Sequence, residues 1–116
     1  MPQQKYHVER IKAFVGDDQE MLEKMVYIFL ENAPKMFGLI QTSLAEKDYV
    51  TLQFNAHKLK TSVDHFSIET LTKEIRQIEN FAKTESNLDQ LPELVQLLEK
   101  ELFETIQEVK TDFKIA

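Results

Sequence analysis

At 116 residues, 42% apolar and 29% charged, the chain has the size and composition of one globular domain that buries a core unaided, and its lack of cysteine excludes disulfides, thiolate metal sites and cysteine nucleophiles. The formal net charge of −6, from 20 acidic and 14 basic residues with no basic stripe, argues against a nucleic-acid ligand. No apolar run approaches the ~20 residues that span a bilayer, and Met1 to Tyr6 lacks the apolar centre of a signal peptide, so a cytoplasmic protein away from membranes is expected.

Two glycines, three prolines and short gaps between apolar segments favour long helices over a turn-rich β fold. Val8, Ile11 and Val15 predict a short first helix that stops at Gly16. Asp17 then reads as an N-cap, with Glu20 three residues on completing a capping box. Leu22, Met25, Phe29, Ala33, Met36, Ile40 and Leu44 keep helical spacing to about Lys47. Pro34 interrupts this stretch and predicts a kink or two abutting helices. Asp48 caps the next segment, striped by Leu52, Ala56, Leu59, Val63 and Phe66. Ser67 is the following cap, before Ile68, Leu71, Ile75, Ile78 and Ala82. Lys83 to Gln90 reads as a loop, and Pro92 suits the first turn of a last helix lined by Leu91, Leu94, Leu98, Leu102, Ile106 and Val109. Without repeat or linker, residues 1–116 form a single all-α domain. Its four long helices pack as an antiparallel, up-down-up-down four-helix bundle, with the short N-terminal helix over one end.

His57 stands out against this frame. At ~100° per residue it lies roughly 140° from the buried direction of its own helix. The plain reading of a lone histidine is a satisfied core residue, and the angle removes it; a surface histidine without a role stays open. Val50, Phe54, His57, Thr61 and Asp64 share one face, flanked by Gln53 and Lys60, with Lys60 one turn along on the same exposed side. Single exposed apolar residues are common, but Val50 and Phe54 aligned beside a histidine suggest a docking patch, with Thr61 and Asp64 as its further expected partner-docking residues. Counting from a turn near Ser67–Ile68, His57 lies eleven residues before Ile68 and Glu79 eleven after it. A carboxylate there can accept the Nδ1 proton of His57, although a solvated glutamate is the plainer reading from periodicity. His7 and His65 are the only other histidines and assemble no metal-ligand set with His57.

The run Ala56-His57-Lys58-Leu59-Lys60, with Ser62, Val63, Phe66 and Ile78-Glu79, resembles the histidine-containing phosphotransfer (HPt) domain of bacterial phosphorelays. The likeness extends upstream through Gly16-Asp17, the run from Phe29 to Pro34, and Lys47-Asp48. The resemblance implies that His57 accepts a phosphoryl group from a receiver-domain aspartate and passes it to another receiver. It implies that Lys60 steadies the phosphoryl oxygens and that Glu79 bonds to the histidine. Expected partners are response-regulator receiver domains, with a hybrid sensor histidine kinase as a further candidate. Mg²⁺ belongs to the receiver, so this chain is expected to be a monomeric phosphocarrier without cofactor, metal or kinase activity of its own. The family usually has glycine where this chain has Thr61, which either crowds the partner or offers a hydroxyl to the phosphoryl group. Thr61 also supports a second reading, a pseudo-HPt adaptor that binds a signalling partner without chemistry.

Overall fold

The computed structural model describes residues 16, 18–66 and 68–113. The expected first helix over Val8 to Val15, the Asp17 cap and the Ser67 cap lie outside the described residues. Four helices follow in order: α1 (Gln19–Ala45), α2 (Tyr49–Asp64), α3 (Glu69–Thr84) and α4 (Leu91–Asp112). Connections of a few residues reverse the chain each time, and α1 packs on α2, α2 on α3, α3 on α4 and α4 on α1. This closes the expected up-down-up-down bundle, and no strand occurs among the described residues.

The α1 N-cap is Asp18, whose carboxylate accepts from the Met21 N–H at 3.0 Å. The helix then runs through Pro34 without dividing, so the expectation of two abutting helices is corrected. An interior proline costs about 3 kcal/mol, but Ala33, Phe37 and Ile40 continue one buried line across it. Burying Phe37 alone offsets much of that cost, at roughly 1.5–3 kcal/mol per large apolar side chain. The stripe is rotated slightly from the expected one. Val26 and Phe37 are buried, while Met25, Met36 and Leu44 pack at the edge of the core.

Lys47, in the left-handed region at φ 57°, turns the chain so that Asp48 can cap α2. Asp48 accepts from the Thr51 N–H at 3.2 Å and the Thr51 hydroxyl at 2.6 Å, and these bonds hold its carboxyl below the ordinary value. At the start of α3 no side chain caps the helix; instead the fully buried Ile68 anchors it. The expected loop from Lys83 to Gln90 is shorter in fact. α3 continues to Thr84, Glu85 and Asn87 take left-handed conformations, and a 3₁₀ turn (Leu88–Gln90) leads into α4 with Pro92 in its first turn.

All five positions of each expected stripe, Leu52 to Phe66 and Ile68 to Ala82, are buried, Phe66 and Ile68 lying in the turn between α2 and α3, and Phe29 stacks tilted on Phe66 with ring centroids 4.6 Å apart. Two polar features enter this interior. The Asn55 amide donates to Ser43 Oγ at 3.2 Å, and Ser43 donates to the Leu39 carbonyl at 2.7 Å, so the buried pair is satisfied. Glu74 on α3 is 9% exposed and meets Glu101 on α4. Burial first, then the hydrogen bond and charge of Glu101, push the Glu74 carboxyl from 4.5 up to about 8. The folded chain therefore binds a proton here that the unfolded chain releases. That contribution is complete below the unfolded value of 4.5 and is lost as pH rises through about 8. The thermal midpoint is expected to fall as pH rises from 4.5 to about 8 and to level off above that, and Glu74→Gln is expected to flatten that slope in a pH series of melting curves.

Candidate functional site

The site sits on the α2–α3 hairpin. Leu52, Leu59 and Val63 from α2 and Ile75 and Ile78 from α3 are wholly buried, which fixes the rotation of both helices. The opposite face of α2 then points His57 outward, with its side chain 60% exposed. Its Nδ1 lies 2.7 Å from Glu79 Oε2. The second oxygen of Glu79, Oε1, accepts from Lys60 Nζ at 2.8 Å. One carboxylate thus bridges the histidine and the lysine, as the count of eleven residues either side of Ile68 allows.

Charge decides the tautomer. Burial raises the Glu79 carboxyl, but hydrogen bonds from Lys60 and His57 and their charges outweigh it and leave it below its ordinary value. Glu79 is therefore an acceptor-only carboxylate near neutral pH. A neutral His57 must then carry its proton on Nδ1 and donate it to Glu79, which leaves the lone pair on Nε2 at the outward edge of the ring.

Lys60 departs from expectation. It turns inward against Glu79 with only 19% of its side chain exposed, rather than standing in solvent beside His57. Helical spacing sets the direction of Cβ, whereas a long flexible stem can lie down along a neighbouring helix. Thr61 is exposed, and its hydroxyl donates to the His57 carbonyl at 3.1 Å. In that bond the hydroxyl proton is committed to the helix, so the side chain presents bulk to an approaching partner. Val50 and Phe54 are 80% and 62% exposed and continue the same ridge. Lys58, not foreseen as part of the site, lies with Nζ 5.4 Å from the Phe54 ring centroid; its signal was the i, i+4 spacing from Phe54. Asp64 is half-buried and accepts from the Thr72 hydroxyl at 2.7 Å, tying α2 to α3.

No group of three or more histidine, cysteine or acidic side chains is placed to hold a metal among the described residues. No helix among them is long and apolar enough to cross a membrane.

The four-helix bundle thus carries an outward histidine, bonded through Nδ1 to a carboxylate on the neighbouring helix. The Hpt domain family matches residues 24–110, and the chain belongs to that family, the histidine phosphotransfer domains of two-component signalling. The crystal structure of the HPT domain from the Hpt sensor hybrid histidine kinase from Shewanella is similar, with a TM-score of 0.76 at 22% identity over 97% of each chain. No curated protein matches the chain.

Proposed function

We propose that His57 is the phosphoryl acceptor of a phosphorelay carrier that takes its phosphoryl group from a receiver-domain aspartate and returns it to another receiver. The observation that carries this reading is the 2.7 Å contact of His57 Nδ1 with Glu79, on a ring otherwise open to solvent. In the forward step the Nε2 lone pair attacks phosphorus in line. The Nε2–P bond forms as the acyl P–O bond breaks, and the electron pair leaves with the receiver carboxylate. Glu79 holds the Nδ1 proton throughout, and the receiver supplies Mg²⁺. Val50, Phe54 and Thr61 form the docking ridge, and the carrier works as a cytoplasmic monomer without a cofactor of its own.

Incubation with a phosphorylated receiver domain tests the proposal. The expected result is an acid-labile, base-stable label on the chain; a chain that binds the receiver yet never takes label would instead be an adaptor. Lys60→Ala is expected to slow transfer about tenfold, as loss of one partly shielded charge contact implies, with an unchanged circular dichroism spectrum. Unaltered transfer kinetics would reduce Lys60 to a structural partner of Glu79.

A further inference from the structure

Lys60 is not a free cation. Its ammonium is bonded to Glu79 Oε1 at 2.8 Å, and both side chains are largely shielded, at 19% and 16% exposure. The other oxygen of the same carboxylate holds His57 Nδ1 at 2.7 Å. With a neutral imidazole, the three side chains sum to zero charge, so the Lys60 charge beside the nucleophile is already balanced by Glu79.

Phosphorylation changes that balance. The new group is anionic and sits on Nε2, across the ring from the edge that Glu79 holds. An ammonium has three donors, and one is already committed to Glu79. Phosphoryl oxygens that take up the remaining donors would share this one cation with Glu79 Oε1. Shielding strengthens both attractions relative to open water, so neither acceptor wins by default.

We infer that Glu79, besides orienting His57, competes with the bound phosphoryl group for Lys60 and thereby shortens the lifetime of phosphorylated His57. This inference rests on the proposed acceptor role of His57. A lysine wholly given to the phosphoryl oxygens would stabilise the phosphorylated ground state, and ground-state grip slows departure. Departure breaks the Nε2–P bond, returns its electron pair to Nε2, and forms a P–O bond to water or to a receiver carboxylate. By keeping part of the Lys60 charge, Glu79 holds the carrier ready to discharge. In this respect it is a positioning residue acting through Lys60.

The test charges wild type, Glu79→Gln, Lys60→Ala and the double variant with phosphoramidate, a small donor that needs no partner. After removal of the donor, loss of label is followed with time. Glutamine keeps the shape of Glu79 and an oxygen for the Nδ1 proton, and thermal melts check that each variant folds. Glu79→Gln is expected to lengthen the lifetime of the label roughly fivefold, and Lys60→Ala to shorten it. In the Lys60→Ala background, Glu79→Gln is expected to change nothing, since the competition needs the lysine. An equal lengthening in both backgrounds would overturn the inference, because Glu79 would then act through the Nδ1 proton alone. So would a Glu79→Gln lifetime no longer than wild type, or a Lys60→Ala lifetime no shorter, and the latter stands even if Glu79→Gln fails to fold. A wild-type chain that takes no label at all would instead overturn the acceptor role itself.

Discussion

His57→Gln is expected to abolish phosphoryl uptake from both phosphoramidate and a phosphorylated receiver, while the bundle stays folded. The glutamine amide nitrogen has a delocalised lone pair and is no nucleophile, so no slow residual route through this position remains. His57 contributes nothing to the buried core, and its side chain is 60% exposed. Surface substitutions of this kind usually change stability by less than about 0.5 kcal/mol, although here the bond to Glu79 is also lost. Label counting beside a thermal melt separates the two effects. A variant that unfolds would say nothing of chemistry, whereas a folded variant that still labels would assign the acceptor elsewhere.

Leu59→Ala carries the second large expectation, and it acts on stability. Leu59 is wholly buried, two residues from His57 and on the opposite side of the same helix. Truncation leaves a cavity where α2 meets the core, and such changes cost about 2–5 kcal/mol. A domain of this size has about 5–15 kcal/mol in total, so the midpoint of urea unfolding should move far. Receiver-dependent labelling is expected to slow as well, because the depth of α2 sets the contact between His57 and Glu79. A loss well under 1 kcal/mol would mean that α2 does not pack as described.

The positions that sequence periodicity resolved are those where packing alone decides. Every apolar stripe residue of α2 and α3 is buried, and the short turn between them made the pairing of His57 with Glu79 a matter of counting. In α1 the periodic line through Leu22, Phe29, Ala33 and Ile40 is correct, but Met25 and Val26, or Met36 and Phe37, lie one position apart. Either choice satisfies the spacing, and only the neighbouring helices settle the rotation. The α1 cap is similar, since Asp17 and Asp18 offer the same carboxylate at adjacent positions and Asp18 is the one seen bonded to Met21.

Other features are invisible to periodicity for physical reasons. Lys60 folds inward because a long stem follows the nearest carboxylate rather than the direction of its own Cβ. Glu74 lies one position before the core residue Ile75, where an acidic residue ordinarily reads as a flank. Its side-chain partner Glu101 lies far along the chain and on another helix. The bond of the Thr61 hydroxyl to the His57 carbonyl is likewise not written in the spacing of apolar positions. Asp64 shares the angular position of the ridge, yet the Thr72 hydroxyl draws it toward α3.

The most direct test of the central claim is nitrogen-15 and phosphorus-31 NMR of the isotopically labelled chain after treatment with phosphoramidate. A one-bond phosphorus–nitrogen coupling at Nε2 of His57, with the proton retained on Nδ1, is the predicted result. Phosphorus on Nδ1, on another residue, or nowhere in a folded chain would contradict it.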